Sequence, residues 1–393
     1  MGIVITPQQA RPWDVVIVGA RVAGSALALK LARAGRRVLC IERGRRGSDT
    51  LSTHALMRGG VLLLQRWGLT EALVGADTPP IRRTVFAYGD ERVEVSIRPT
   101  AGVDALYAPR RTVLDAALVD AAERAGAVFE FGTAVTGLHR DSTGAVDGVS
   151  VRRGAHTAVL AARLVIGADG RSSVVAAETA APFTARGRHA GAYLYGYWSG
   201  APAQAYEWFY RPGSSAGVIP TSSGQTCVFV GGRPERLAAA LAEHGSPAAT
   251  YRALLAEVGV RQALSGAAPA GSVRYVRGLP HGYLRRPYGP GWALVGDAGH
   301  WLDPMSTHGM TSALRDVELL GRVLSMPTGD DPAAPERWAR YQVDRDRLSL
   351  PLLRASDEIA SHEWDLTTIR RLLRSMASGM ADEVDALVDD RAA

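Results

Sequence analysis

Asp14-Val15-Val16-Ile17-Val18-Gly19-Ala20-Arg21-Val22-Ala23-Gly24 is the stretch on which the fold of this 393-residue chain turns. Its first half is a short apolar, β-branched run stopped by glycine, the pattern of a strand buried in a parallel sheet. From Val22 to Ala34 good helix formers follow, with Gly35 at the stop. Val38-Leu39-Cys40-Ile41-Glu42 is a second apolar run, completing a βαβ opening of about 30 residues. The turn matches G-x-G-x-x-G at its first and third glycines, Gly19 and Gly24, while Arg21 stands at the second. The first glycine makes the tight turn and the third lets helix and strand pack closely; the second normally lets backbone approach a pyrophosphate. An arginine there either turns its side chain away or offers its guanidinium to the phosphates. Glu42 ends the second strand 23 residues after Gly19, where a carboxylate accepts from a ribose hydroxyl. Strand, helix, strand and terminal acid together predict a dinucleotide-binding fold.

Further along, Thr84–Tyr88 and Arg92–Ile97 alternate about Gly89-Asp90, a hairpin signal. Arg111–Ala125 reads as a helix and Ala127–Phe131 as a strand. Leu164-Val165-Ile166-Gly167-Ala168-Asp169-Gly170 and Trp292-Ala293-Leu294-Val295-Gly296-Asp297 are two more buried strands, each ending in acid and glycine. Residues 191–231 hold nine of the chain's 26 aromatics in alternating runs broken by Gly and Pro, which reads as antiparallel sheet. A helix begins near Gly309, and residues 333–388 read as mostly helical. The expected architecture is α/β: a Rossmann-like dinucleotide-binding domain, an inserted antiparallel β-sheet domain and a C-terminal helical region. The corresponding boundaries are 12–80, 103–180 and 273–330 for the first, 81–102 and 181–272 for the second, and 331–393 for the third.

Composition prunes the chemistry. The chain has one lysine, Lys30, and no asparagine, so its formal charge of +6 is carried almost wholly by arginine. PLP, Schiff-base and P-loop chemistries each need a placed lysine, and Lys30 sits inside the first helical stretch. The two cysteines, Cys40 and Cys227, are far apart and form no CxxC, so neither a disulfide framework nor a thiol-redox motif is expected. No HExxH occurs, and no metal site is expected. No apolar run reaches the ~18–20 residues that span a bilayer, and a secretory signal is not expected; the expected location is the cytoplasm. The arginines are dispersed among acids, which argues against nucleic acid.

The three glycine-bearing strand ends line up as one ordered pattern: Gly19–Gly24, then Ile166-Gly167-Ala168-Asp169-Gly170-Arg171-Ser172-Ser173-Val174-Val175, then Gly296-Asp297-Ala298-Gly299-His300 through Pro304 to Gly309. Over nearly its whole length the chain resembles the FAD-dependent monooxygenases of the p-hydroxybenzoate hydroxylase type, the group A flavoprotein hydroxylases, in the compact form without a C-terminal thioredoxin-like domain. The second stretch is similar to D-G-x-x-S-x-V-R, with Ala176 in place of the arginine. The third is similar to G-D-A-x-H-x-x-x-P-x-x-G-x-G, and the family's G-Q-G-x-N reads Thr307-His308-Gly309-Met310-Thr311 here.

The resemblance implies that the Rossmann-like domain is an FAD-binding domain of the glutathione-reductase type and the inserted β-sheet a substrate domain, and it implies roles by position. Asp297 matches the acid that holds the ribityl chain, Arg111 an arginine on the cofactor, and Val135 the position whose backbone lies near adenine. Pro304, Gly309 and Met310 would meet the flavin, with helix-start amides stabilising the charge of its reduced pyrimidine edge. Asp169 is a further cofactor-binding candidate; Asp169 and Asp297 also read as turn formers at strand ends, and Arg111 as an exposed helix residue, with the cofactor role preferred for Asp297 and Arg111. Arg21, Arg43 and Arg111 are the candidates to hold an anionic cofactor. His308 either meets the flavin edge or caps the helix. His54 is either a polar group near the ring or a structural hydrogen bond to a loop carbonyl. Those two histidines are the catalytic candidates. Tyr195, Tyr197, Trp208 and Tyr210 are the substrate candidates, although alternate strand residues point oppositely and half the rings of this region would face a core.

The family's mechanism is implied with the resemblance: NAD(P)H, visiting transiently, reduces FAD, and a flavin C4a-hydroperoxide hydroxylates or epoxidises a flat aromatic or polycyclic natural-product intermediate with molecular oxygen. A dry pocket is what such chemistry needs. The oligomeric state is left as monomer or homodimer. A geranylgeranyl-reductase-like enzyme keeps the motifs and changes the reaction, and a non-catalytic flavoprotein is the reading from a different class. Flavin halogenases depend on a lysine between flavin and substrate, which Lys30 does not fit. Gly213-Ser214-Ser215-Ala216-Gly217 matches the G-x-S-x-G elbow of hydrolases, but flanking Pro212 and Pro220 make it a turn between strands.

Overall fold

The computed structural model describes residues 12–325 and 335–389. Residues 326–334 and 390–393, parts of the expected FAD-binding and helical segments, lie outside the described residues.

Val15–Val18 is flanked in parallel by Val38–Glu42 and Val165–Gly167. Outside these pair Val128–Phe131 and Trp292–Leu294, also parallel, and the antiparallel edge Tyr288–Gly289 completes six strands. Alternation along the first strand sorts its side chains. Val15 and Ile17 pack under the helices Val22–Arg33, Arg111–Arg124 and Gly309–Ser325. Val16 and Val18 face the other way, into a core with Val149, Val151 and Leu160. Those three belong to a three-stranded antiparallel sheet, Ala134–Arg140, Val146–Arg153 and His156–Ala161, which the reading of the sequence did not separate from the first fold.

The aromatic region forms a seven-stranded sheet in the order Ala268–Val276, Ala192–Ser199, Gln225–Gly232, Ser214–Pro220, Tyr206–Arg211, Arg83–Tyr88, Glu91–Ser96. The hairpin about Gly89, which has φ +62°, is its edge. One pairing departs from the antiparallel expectation: Tyr206–Arg211 runs parallel to Arg83–Tyr88. These strands come from segments more than 100 residues apart, so no hairpin constrains their direction. One face of the sheet packs Leu194, Phe209, Val228 and Val230 against two helices, Pro234–His244 and Pro247–Val258. The other face packs its rings against Leu352, Leu353 and Trp364 of the C-terminal segment, whose helices are Pro335–Ala360 and Leu366–Asp389. A second three-stranded sheet, Phe183–Arg186, Tyr283–Arg285 and His300–Trp301, bridges the two large ones.

No helix among the described residues is long and apolar enough to cross a membrane. Cys40 and Cys227 are both buried and free. The G-x-S-x-G match, expected as a turn between strands, keeps only Gly213 (φ +80°) in the turn, and its other four residues lie in the strand Ser214–Pro220. Ser215 shares a 3.0 Å hydrogen bond with the buried His362, yet it is itself 0% exposed and no helix follows it, so it is a packed strand residue.

Candidate functional site

A cavity of about 530 Å³ opens where the carboxyl ends of the parallel strands meet the aromatic sheet. This is the crevice in which open α/β sheets bind ligands. Its polar end is built by the glycine turn. Gly19 has φ +101°, and a Cβ there would sit 2.5 Å from the carbonyl oxygen of Ala168. At Gly24 the obstacle is the turn itself: a Cβ would lie 1.8 Å from the oxygen of Gly19. The helix Val22–Arg33 that follows has no side-chain cap, so its first amides are left for an anion.

Arg21 lines the cavity, and its guanidinium is engaged by protein acceptors. It donates to the carbonyl of Ser48 at 2.8 Å and to Asp115 at 3.2 Å. Asp115 also accepts two hydrogen bonds from Arg111, both at 3.1 Å, which holds that arginine in a cavity-lining position only 9% exposed. Asp115 was not singled out from the sequence. Its signal was the i, i+4 spacing from Arg111 on a helix, a spacing that puts two side chains on one face. Glu42 also lines the cavity, with its carboxylate already accepting from the amides of Ala20 at 3.0 Å and Gly44 at 2.7 Å. Arg43 lies exposed on the rim, and Val135 is buried at the wall.

The two motif acids differ in their surroundings. Asp169 accepts from the amide of Val174 at 2.7 Å through Oδ2, whereas its buried Oδ1 has no protein partner. Burial pushes its carboxyl up. Asp297 is pushed up to about 6 by burial, against the opposing charges of Arg111 and Arg171. A ligand with hydroxyl donors in this cavity would satisfy both acids. Uncapped helix amides, the orphaned oxygen of Asp169, the buried Arg111 and a turn with two positions that admit only glycine make a set fitted to a phosphate- and hydroxyl-bearing dinucleotide.

Asp297 also predicts a pH dependence. Unfolded, an aspartate titrates near 3.9; folded, this one titrates near 6. The folded state therefore binds the proton more tightly, so the group lowers stability above about pH 6, and that cost disappears as pH falls toward 4. Asp297→Asn is expected to stabilise the ligand-free protein by on the order of 2–3 kcal/mol at pH 8 and by much less at pH 5. Thermal melts at the two pH values measure it, and equal gains at both would refute the assignment.

His308, Gly309, Met310 and Pro304 line the cavity below Asp297. His308 is buried, and its Nε2 is 3.1 Å from Glu383 in the last helix. Its ring makes no hydrogen bond that caps the helix Gly309–Ser325, for the other nitrogen, Nδ1, has no protein partner. Burial pushes the Glu383 carboxyl up, but the charges of His308 and Arg315 outweigh this and hold it below the usual range. Nothing in the local sequence about Glu383 signals this pairing.

The aromatic end carries Tyr193, Tyr195, Phe229 and Trp301 on the cavity wall. The Tyr193 hydroxyl donates to the buried Asp303, which also accepts from the amides of Gly191 and Met305. Of the four rings expected at a substrate, only Tyr195 lines the cavity, while Tyr193, unmarked in the sequence reading, joins it two residues earlier on the same strand face. Tyr197 instead holds His54, its hydroxyl 2.6 Å from Nε2, with the Arg110 guanidinium 3.9 Å from its ring centroid. Trp208 and Tyr210 share the sheet face of Tyr195, but two strands intervene, a lateral step of roughly 14 Å at ~4.8 Å per strand. There Trp208 packs on Phe229, and Tyr210 on Tyr88 and Trp364.

His54 is corrected likewise. Its partner is a tyrosine rather than a loop carbonyl, and its side chain lies behind the wall that Thr53 and Ala55 form. Burial pushes it down to about 3, assisted by Arg110 and Arg111, so it is neutral at working pH. Lys30 pairs with Glu318 at 2.8 Å on the far side of its helix and does not line the cavity. Among the described residues no group of three or more His, Cys, Asp or Glu is placed to hold a metal ion.

Comparison with known proteins gives the family and the fold. A family model described as "FAD binding domain" matches residues 12–356. The 6-methylpretetramide 4-monooxygenase of Streptomyces rimosus is 28% identical over 95% of this chain and 94% of its own. Squalene epoxidase erg1 of Aspergillus fumigatus is 39% identical, but over 20% of this chain and 17% of its own. P. aeruginosa PqsL in complex with 2-aminobenzoylacetate superposes with a TM-score of 0.75 at 21% identity, covering 93% of this chain and 100% of that one. The flavin-dependent brominase Bmp2 superposes at 0.73 with 16% identity, covering 98% and 100%. At such identities these two structures share the fold.

Proposed function

The chain belongs to the FAD-binding family of group A flavoprotein monooxygenases, and from that premise we propose that it hydroxylates or epoxidises a flat polycyclic natural-product intermediate. The observation that carries this reading is the single cavity whose walls run from the glycine turn and Arg111, through Asp297 and His308, to the rings of Tyr193, Tyr195 and Phe229. Bound FAD supplies acceptance of electrons from a nicotinamide and activation of molecular oxygen. The residues would do the rest.

Gly19, Gly24 and the first amides of Val22–Arg33 would seat the pyrophosphate, Glu42 a ribose, and Asp297 the ribityl hydroxyls. Arg111, fixed by Asp115, would place its charge against the anionic cofactor. Tyr193, Tyr195 and Phe229 would offer faces for a flat substrate to stack on and would keep water from the reacting centre. Burial raises the Tyr195 phenol, so it stays protonated and is available to donate to a substrate oxygen. The similarity to a monooxygenase whose name specifies a pretetramide, over nearly the full length of both chains, supports a polycyclic substrate. A halogenase reading lacks its lysine, since Lys30 is engaged with Glu318.

The purified protein should be yellow and release FAD on denaturation. With a polycyclic aromatic substrate it should consume NAD(P)H faster than without, and one atom of ¹⁸O₂ should appear in the product by mass spectrometry. Anaerobic turnover to a saturated product would replace this reading with a reductase.

A further inference from the structure

We propose that Glu383, in the last helix, is a positioning residue for the reducible end of the cofactor, acting through His308. This rests on the FAD reading above.

His308 lines the cavity at the start of the helix Gly309–Ser325. Its Nε2 is 3.1 Å from Glu383 Oε2, and the same oxygen accepts from Arg315 Nη1 at 3.0 Å. An ionised carboxylate only accepts, so Nε2 carries a hydrogen and donates it. That fixes the orientation of the imidazole and leaves Nδ1 as its one other polar atom. Nδ1 is buried and has no protein partner. A buried polar nitrogen without a partner is costly, and on the wall of a ligand cavity the group that satisfies it is the ligand.

Glu383 is held in its turn. Arg315 is fully buried and donates also to Asp316 at 2.7 Å and to Ser349 at 2.7 Å. Gly59 leaves room for the other Glu383 oxygen, for a Cβ there would come within 2.7 Å of it. Four helices, those that carry Gly59, Arg315, Ser349 and Glu383, thus converge to set one ring. The arrangement is that of a carboxylate fixing the tautomer of a working histidine.

The test has two arms. ¹⁵N NMR of the ligand-free parent protein should show the His308 ring protonated at Nε2 and hydrogen-bonded, and Glu383→Gln should alter that signal; a parent ring bare at Nε2 overturns the inference without any variant. In the FAD-loaded protein, Glu383→Gln should change the relative affinity for oxidised and reduced cofactor about tenfold, a midpoint shift of about 30 mV for a two-electron couple. In a His308→Ala background the same substitution should shift the potential no further. An equal shift in both backgrounds means that Glu383 acts by bulk charge or by structure, and overturns the proposal. A parent protein that takes up no FAD defeats the FAD reading instead, while the NMR arm still decides the geometry.

Discussion

Gly24→Ala is expected to yield a colourless protein. The added methyl would stand 1.8 Å from the carbonyl oxygen of Gly19 and 2.9 Å from its carbon. Both are backbone atoms of the turn, so no rotamer relieves the overlap, and the helix Val22–Arg33 must move off the strand Val15–Val18. That displaces the amides on which the pyrophosphate would rest. The FAD dissociation constant should rise at least 100-fold, about 2.7 kcal/mol at 1.4 kcal/mol per decade, with a further 1–3 kcal/mol or so lost in stability from overpacking. Gly137→Ala is the matched control, for a Cβ at Gly137 meets nothing within 4 Å and its φ is not positive. Stoichiometric FAD in purified Gly24→Ala, measured by its visible spectrum, would falsify the placement of the pyrophosphate at this turn.

Arg315→Met is expected to produce the largest loss of stability. Arg315 is 0% exposed and is the cation shared by two buried carboxylates, Asp316 and Glu383. Removing it strips both acids of their shared counter-charge and leaves Glu383 with His308 alone, a defect that typically costs about 3–5 kcal/mol. The loss should depend on pH. Burial already raises Asp316 despite Arg315; without the arginine, both carboxyls would titrate well above their unfolded values. Their penalty is then full at high pH and relieved as they take up protons. Urea denaturation should show the variant nearer to the parent at pH 5 than at pH 8. A pH-independent difference, or one below 1 kcal/mol or so, would mean that the cluster is neutralised in some other way. Replacing Arg315, Asp316 and Glu383 together by apolar residues of similar volume should restore much of the stability, while forfeiting the orientation of His308.

The glycine turn, Glu42, Asp169 and Asp297 were legible because each follows a short buried strand, and rules of strand, turn and helix start act over a handful of residues. Arg111, Val135, Pro304, Gly309 and Met310 were named by the resemblance to the flavoprotein hydroxylases, and all five line the cavity. The aromatic region read correctly as sheet because alternation has a period of two. The same period could not say which ring reaches the cavity. Tyr195 and Trp208 lie on one face of one sheet, and the strand order separates them.

The sequence by itself therefore determined the local scaffold: a βαβ opening, strand ends that carry acids and glycines, and a lysine-poor chain whose charge is arginine. Tertiary structure decided which partners those residues have. Asp115 clamps Arg111 and Arg21 together, Tyr197 takes His54 away from the cavity, and Glu383 reaches across 75 residues of sequence to His308. The reason is physical. Backbone sterics and helix and strand periodicities are set by neighbouring residues, whereas a hydrogen bond between distant helices exists only once the sheets are ordered and the helices laid across them.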